Sequence, residues 1–136
     1  MIIKDVPQDM LESLWPFIAP FLSKAVNLTP EMATLNDVYE QCANGENIAW
    51  VVVQDNKIIA AYTTRVVEYP QARALIVDYL GGEKMKDWLG LAVTSIKNQA
   101  KRNNCKWFEA YGRRGWERLV KEYNVKQSHV VYKMEL

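Results

Sequence analysis

Apolar and polar residues follow two periodicities along this chain, one typical of strands and one typical of helices. Six segments have the alternation or the β-branched composition of strands, at residues 2–6, 48–54, 57–68, 73–80, 105–111 and 129–136. The last segment alternates strictly, with apolar residues at every second position from Val130 to Leu136, and this predicts a half-buried antiparallel strand. Asp55 and Asn56 separate two of the segments and predict a hairpin turn.

Between the strands, apolar residues spaced three or four apart predict helices. The longest such stripe predicts a helix from about residue 83 to 102, packed on one face of a sheet, and consists of Met85, Leu89, Ala92, Ile96 and Ala100. Thr34 and Asp37 resemble a capping box at the start of a shorter helix. Because proline breaks helices, Pro16 and Pro20 predict two short helical pieces after the first strand rather than one helix. A last short helix is predicted for residues 116–123.

The order of these elements predicts an α+β fold. One strand and helices come first, then a hairpin and a third strand, the long helix, a strand, a short helix and a strand. We expect a mixed, mostly antiparallel sheet of about 5–7 strands flanked by helices. With 136 residues, the chain is close to the size of one typical domain of about 150 residues. We therefore expect a single domain over residues 1–136.

Composition excludes several classes of protein. Apolar residues make up 49% of the chain and charged residues 24%, which excludes intrinsic disorder. Cys42 and Cys105 have no neighbouring cysteine or histidine, so we expect two free thiols and no metal site. The first residues, MIIKDVPQDM, lack the apolar run of a signal peptide, and no apolar stretch approaches the length of about 18 residues that spans a membrane. These features predict a cytoplasmic protein without a membrane partner.

The net charge of +1 hides an uneven distribution of charges. Residues 1–80 contain five Lys or Arg against ten Asp or Glu, and residues 81–136 contain twelve against six. The basic C-terminal part is able to steer an anionic ligand, and solvated helix faces explain the same excess equally well. Because no nucleic-acid-binding motif accompanies the basic residues, we do not expect a nucleic-acid partner.

Several parts of the sequence resemble the GNAT superfamily of acyltransferases. The stretch from Trp50 to Ala61, WVVVQDNKIIAA, resembles the central hairpin of that family, and the order of elements resembles its architecture over nearly the whole chain. The segments GGE at 81–83, DW at 87–88 and YGRRGWE at 111–117 resemble small GNAT-like proteins encoded by tailed bacteriophages. The resemblance implies a GNAT-like fold and an enzyme that transfers an acyl group from acetyl-CoA to an amine.

The resemblance also implies a place for the cofactor, on the loop before the long helix, where the helix N-terminus holds a pyrophosphate. The family carries the pattern Q/R-x-x-G-x-G/A there, and the corresponding residues 80–86 of this chain are LGGEKMK. Gly81, Gly82, Lys84 and Lys86 are the candidate cofactor-binding residues. The two glycines depart from the family spacing, and Glu83 adds a carboxylate. The loop therefore also fits a simple tight turn between strand and helix.

Acyl transfer to an amine requires a general base for the amine and a general acid for the departing thiolate. Asp78 and Glu109, each near the end of a predicted strand, are the candidate bases. The acid of many family members is a Tyr in the last helix, and Val120 stands at that position here. Tyr111 and Tyr79 are the candidate substitutes. The single histidine lies on the polar face of the predicted last strand, and no catalytic triad or metal site includes it.

The most unusual cluster in the chain is Arg113-Arg114-Gly115-Trp116. The glycine allows a tight turn, and two arginines beside it are able to bind carboxylate or phosphate groups bidentately. Trp116 adds a residue type that is frequent in protein interfaces. We expect an anion-binding or partner-binding site at this turn. The alternative is that Trp116 belongs to the core and the arginines are ordinary surface charge.

Two functions from different classes fit these observations. The first is an acyl-CoA-dependent N-acyltransferase with an altered cofactor loop, which acts on an amine of a small molecule or a protein. The second is a catalytically inactive GNAT fold that binds a phage or host protein, in a virion or in the host cytoplasm. The altered loop and the missing Tyr favour the second function, and the presence of a whole GNAT-like domain favours the first.

Overall fold

The computed structural model describes residues 1–136 as one sheet with helices on both faces. The elements in chain order are β1 (Ile2–Asp5), α1 (Gln8–Val26), α2 (Leu35–Ala43), β2 (Ile48–Gln54), β3 (Lys57–Glu68), β4 (Arg73–Gly82), α3 (Met85–Arg102), β5 (Trp107–Ala110) and α4 (Trp116–Val120), which a 3-10 turn follows at Lys121–Tyr123. The strands lie in the order β1-β2-β3-β4-β5, and all pairs are antiparallel except β4 and β5. This mixed, mostly antiparallel five-stranded sheet confirms the predicted α+β class.

Two apolar cores form, one on each face of the sheet, because successive side chains of a strand point to opposite faces. On one face α3 packs against β2, β3 and β4, with Trp50, Tyr62 and Leu75 among the strand residues that it covers. On the other face α1 and α2 pack against the alternate positions of the same strands, among them Val51 and Ala61.

The stripe predicted for α3 is confirmed. Leu89 and the three small or branched residues that follow it in the stripe are buried, and Met85 is half-buried against the sheet. Trp88 is not part of the stripe, yet it is completely buried. Its Nε1–H donates a hydrogen bond of 2.6 Å to the carbonyl of Glu83. This bond links the first turn of α3 to the residue that follows β4.

α1 is one continuous helix of 19 residues, so the predicted division into two pieces is wrong. Pro16 and Pro20 lie four residues apart on the exposed face of the helix. Each proline removes one backbone hydrogen bond, and a carbonyl left free on the exposed face is solvated by water. The opposite face is buried and holds the helix on the sheet, through Leu11, Ile18, Leu22 and Val26.

Two turn signals in the sequence are confirmed. Asp55 and Asn56, with φ of 52° and 60°, form the hairpin turn between β2 and β3. At the start of α2 the N–H of Asp37 donates to Thr34 Oγ1 at 3.1 Å, and the N–H of Thr34 donates to the Asp37 carboxylate at 2.8 Å. These reciprocal bonds are a capping box, which satisfies two backbone donors at the helix start.

Residues 124–136 contain no helix or strand, so the strand predicted at 129–136 is wrong. The alternation is present in the sequence, but no strand lies beside this segment, since β5 pairs with β4 alone. Tyr132 and Met134 are 91% and 83% exposed. A strand requires a partner for its backbone N–H and C=O groups, so the alternation by itself does not produce one.

Candidate functional site

The candidate site lies where β4 and β5, the parallel pair of the sheet, separate. β5 is paired with β4 as far as Ala110, which lies opposite Val77. The N–H of Tyr111 donates to the carbonyl of Val77 at 3.4 Å, and the pairing ends there although β4 continues to Gly82. In sheets built from β-α-β units, ligands bind in the crevice outside the carboxyl ends of the strands. We call the region where residues 78–82 and residues 111–115 are no longer paired the opening.

A β-bulge in β4 lies at the start of the opening. The register between β3 and β4 shifts by one residue between Tyr62 and Thr64. Two residues of β4, Asp78 and Tyr79, therefore lie opposite one residue of β3. A bulge bends its strand and changes the direction of its side chains, and this bulge directly follows the last residue of β4 that pairs with β5.

The N-terminus of α3 lies at the end of β4 and presents free hydrogen-bond donors. Lys84 precedes the helix in the left-handed conformation, and no side chain caps the helix. The backbone N–H groups of Lys84, Met85 and Lys86 donate to no protein acceptor, whereas the N–H of Asp87 donates to the carbonyl of Lys84 at 2.9 Å. Free N–H groups at the positive end of a helix are a site for a phosphate. The exposed Lys84 and Lys86 side chains add positive charge, and Glu83 and Asp87 oppose it.

Gly81 and Gly82 are part of β4 and pack closely against protein rather than facing the loop. A Cβ atom at Gly81 would overlap the backbone carbonyl of Phe21 in α1, and a Cβ atom at Gly82 would overlap the Cβ of Ala60 in β3. The absence of a side chain at these positions is therefore required by the contacts of β4 with α1 and β3. A substitution at Gly82 consequently disturbs the fold as well as any ligand beside it.

Asp78, a candidate base, forms a bidentate ion pair with Arg65 of β3. Arg65 Nε donates to Asp78 Oδ2 at 2.7 Å and Arg65 Nη2 donates to Oδ1 at 3.3 Å. The Asp78 side chain is 14% exposed. The hydrogen bond to Asp78 raises the pKa of Arg65 above its usual value. Both oxygens of Asp78 therefore interact with one cation of the sheet.

Glu109, the other candidate base, lies among aromatic side chains at the surface of β5. Its Oε1 accepts a hydrogen bond from the Tyr69 hydroxyl at 2.8 Å and another from Trp107 Nε1 at 3.1 Å. The rings of Tyr69 and Trp107 stack with their centroids 6.0 Å apart. The hydrogen bond to Glu109 raises the pKa of Tyr69. Glu109 Oε2 has no hydrogen-bond partner, so this carboxylate keeps a free acceptor.

The two candidate acids, Tyr111 and Tyr79, differ in their surroundings. Tyr111 directly follows β5 and is 57% exposed. Tyr79 packs against the core beneath α1 and α2, and burial raises its pKa. Because a raised pKa makes a phenol a weaker proton donor, burial makes Tyr79 less suited to the role of an acid.

A basic groove is formed by the segment that follows the opening. Its volume is about 520 Å³ and its basic lining residues are Arg114, Arg118, Lys121 and Lys126. Glu117 is the single acidic residue of the lining. None of the four basic side chains takes part in an ion pair. The groove therefore has an excess of positive charge, with four cations against the one carboxylate of Glu117.

The turn predicted to bind an anion or a partner divides into two parts in the structure. Arg114 lines the basic groove, whereas Arg113 is exposed outside it. Trp116 is half-buried, and its ring covers Gly112, where a Cβ atom would lie 3.3 Å from Trp116 Cδ1. Trp116 thus has a packing contact within the turn.

The residues that surround the two carboxylates were not predicted from the sequence. Arg65 lies opposite Ile76, two positions before Asp78, so its contact follows from the β3–β4 register. Tyr69 lies beyond the end of β3 and meets Glu109 of β5 across the sheet. Polar residues near the ends of adjacent strands are the only signal in the sequence for these contacts.

No group of three or more His, Cys, Asp or Glu side chains lies close enough together to hold a metal ion. None of the helices combines the length and the apolar character that crossing a membrane requires.

Comparison with solved structures identifies the fold. The structure of a probable acetyltransferase aligns with 100% of this chain and with 98% of its own chain, with a TM-score of 0.76 and 10% sequence identity. The ribosomal-protein-alanine N-acetyltransferase from Brucella melitensis biovar Abortus 2308 matches over 100% of both chains, with a TM-score of 0.74 and 12% identity. A predicted acetyltransferase from Clostridium acetobutylicum, solved with acetyl-CoA, covers 98% of this chain and 95% of its own, with a TM-score of 0.66 and 14% identity.

No family model and no curated protein matches the sequence. At identities of 10–14% the likeness establishes the fold alone. That fold is the one found in GNAT acetyltransferases, as the sequence resemblance implied.

Proposed function

We propose that this protein is a GNAT-type N-acyltransferase that takes its acyl group from acetyl-CoA. The observation that supports the proposal most is the separation of β4 and β5 at the end of the strand that leads into α3. A crevice at the carboxyl ends of two parallel strands, next to a helix N-terminus with free N–H groups, suits a cofactor that carries phosphates.

The start of α3 fits the pyrophosphate of the cofactor. The N–H groups of Lys84, Met85 and Lys86 are free to donate, and the two lysine side chains supply the charge. Gly81 and Gly82 allow the close packing of β4 that puts this helix end in place. Acetyl-CoA, when bound, supplies an activated acyl group that an amine is able to attack.

In this proposal Glu109 is the general base and Tyr111 is the general acid. Glu109 Oε2 accepts the proton that the amine loses when the C–N bond forms. Tyr111 donates its hydroxyl proton to the sulfur that departs when the C–S bond breaks. Tyr69 and Trp107 orient the carboxylate by donating to its other oxygen. Asp78 has a positioning role, because its ion pair with Arg65 joins β3 to the bulge of β4.

The acceptor in this proposal is an amine of a small molecule or of a protein. One structural neighbour is named as an N-acetyltransferase of a ribosomal-protein alanine, which is an example of the second kind. The bacteriophage origin, with action in the host cytoplasm, rests on the sequence resemblance at residues 81–88 and 111–117 alone.

Thermal unfolding in the presence of acetyl-CoA tests cofactor binding. A ligand at 100 times its Kd stabilises a protein by about 2.7 kcal/mol. For a chain of this size we expect Tm to rise by about 5 °C or more. The double variant Lys84→Ala, Lys86→Ala should reduce this rise without changing Tm in the absence of ligand, because both side chains are exposed. No change of Tm at millimolar acetyl-CoA would reject the acyltransferase and favour the inactive, partner-binding fold.

Release of the CoA thiol in the presence of amines tests the two catalytic roles. Removal of a general acid or base lowers a rate by about 10² to 10⁴-fold. Glu109→Gln and Tyr111→Phe should each have this effect while the Tm rise with acetyl-CoA is kept. Asp78→Asn should mainly lower Tm, since it weakens the ion pair with Arg65. If a folded Asp78→Asn variant is inactive and Glu109→Gln is active, then Asp78 is the general base and Glu109 has the positioning role.

A further inference from the structure

The basic groove along α4 has a regular arrangement of cations. Arg114, Arg118 and Lys121 are separated by four and then three residues, and α4 with its 3-10 turn runs through this segment. Arg118 lies in α4, Lys121 in the 3-10 turn that follows and Arg114 in the turn that precedes the helix, and all three line the same groove. Lys126 adds a fourth cation to the lining.

The charges of the groove are free to interact with a ligand. None of the four cations takes part in an ion pair, and Glu117 is the only acid of the lining. Two of the cations are arginines, whose planar guanidinium groups bind phosphate through two parallel hydrogen bonds. Four cations against one carboxylate leave an excess of positive charge in one concave surface, which favours a ligand with several negative charges.

The rest of the lining restricts the chemistry of this ligand. Val125 is the only hydrophobic residue among the seven that line the groove. Four of the other lining residues are cations, so the polar groups that this lining offers are mainly donors for an anion. The volume of about 520 Å³ lies within the usual range of about 300–1,000 Å³ for ligand sites.

We propose that the basic groove binds a run of consecutive phosphate groups, as found in a nucleic-acid backbone or a free polyphosphate chain. The groove shares Arg114 and Gly115 with the edge of the opening, but its other cations, Arg118, Lys121 and Lys126, lie outside the residues that hold the cofactor in the proposed function. The proposal revises the expectation against nucleic acid. That expectation came from the missing motif, and the groove appears only when α4 and the segment after it are folded.

Binding of two probes, inorganic tripolyphosphate and a single-stranded DNA oligonucleotide of about 20 nucleotides, tests the proposal. Titration calorimetry at several salt concentrations gives the affinity and its salt dependence. Neutralising four phosphates of a single strand gives a slope of log K against log[salt] of about −3. The variant Arg114→Ala, Arg118→Ala should weaken both probes and change the DNA slope to about −1.5.

Two control variants separate the groove from the overall charge. Lys97→Ala, Lys101→Ala removes the same charge from exposed positions of α3 and should leave both affinities within about twofold of the wild type. Arg113→Ala removes an exposed arginine outside the groove, next to Arg114, and should have the same small effect. An equal loss of affinity in the groove and α3 double variants would overturn the proposal, as would the absence of binding of both probes to the wild type.

The two probes also distinguish the source of the phosphates. Tighter binding of the oligonucleotide supports a nucleic-acid backbone, and tighter binding of tripolyphosphate supports a free polyphosphate. A competition with CoA separates this proposal from the acyltransferase. If CoA displaces tripolyphosphate and the Arg114→Ala, Arg118→Ala variant also weakens CoA binding, the groove belongs to the cofactor and a separate site is overturned, whereas CoA binding that this variant leaves unchanged supports a separate site. If the protein binds the probes but not CoA, the groove proposal is supported and the acyltransferase proposal is rejected.

Discussion

The two cysteines of the chain differ in their burial. Cys42 is 3% exposed in the core beneath α1 and α2, and burial raises the pKa of its thiol to about 11. Cys105 is half-buried after α3, and burial raises its pKa as well. Only a thiolate reacts rapidly with disulfide reagents. Because solvent reaches Cys105 and does not reach Cys42, we expect such a reagent at pH 8 to modify Cys105 in the folded protein and Cys42 only after unfolding.

Two measurements check the difference between these thiols. Cys105→Ser should leave no rapidly reacting thiol, and fast modification of that variant would contradict the buried position of Cys42. The unfolded thiol of Cys42 has the usual thiol pKa of 9.0, whereas the folded thiol stays protonated until about pH 11. The unfolded state alone therefore loses its proton between these values, so Cys42 makes the free energy of unfolding fall as pH rises from 9 to 11. Cys42→Ala should reduce this fall.

The packing of β4 against its neighbours depends on the two glycines at its end, Gly81 and Gly82. A Cβ atom at Gly82 would overlap the Cβ of Ala60 in the neighbouring strand. Gly82→Ala should therefore destabilise the protein by about 1–3 kcal/mol, the usual cost of overpacking, and the loss is measured by urea unfolding. Gly115→Ala is the matched control. It makes the same chemical change at φ −58°, where a Cβ atom meets nothing within 4 Å. Equal stability of the two variants would contradict the packing of β4 on β3.

Local signals predicted the elements whose causes are local. Thr34 and Asp37 specify the start of α2, and Asp55 and Asn56 specify the hairpin, because each structure is completed by residues within three positions. The continuity of α1 through Pro16 depends instead on which face of the helix meets the sheet. That face is decided by contacts with residues far along the chain, and the alternation at 129–136 fails for the same reason, since its partner strand does not exist.

At the scale of the whole molecule, the sequence indicated the fold class and the strands that carry the candidate site. It did not indicate the geometry of the site. Asp78 was identified as a candidate base, and the β3–β4 register brings it to Arg65, with which it forms an ion pair. Glu109 was identified without its donors, because Tyr69 reaches it from 40 residues away. Contacts of this kind arise from strand register and from the bulge, which single-sequence periodicity does not specify.

The C-terminal segment tests how far the sheet extends across the whole molecule. In the structure this segment contributes no strand. The only ion pairs of the segment are those of Lys133, with Glu31 at 3.9 Å and with Glu135 at 3.2 Å, and all three side chains are exposed. Exposed ion pairs contribute about 0–1 kcal/mol, so removal of residues 127–136 should lower Tm by at most about 3 °C. The shortened chain keeps Lys126 and hence the basic groove. If residues 129–136 were a strand of the sheet, the truncation would remove paired backbone and buried side chains, and Tm would fall by far more. The variant Val130→Ser, Tyr132→Ser in the full chain separates the two cases without truncation. It should leave Tm unchanged if both side chains are exposed. A large fall of Tm would indicate that residues 129–136 form a strand of the sheet.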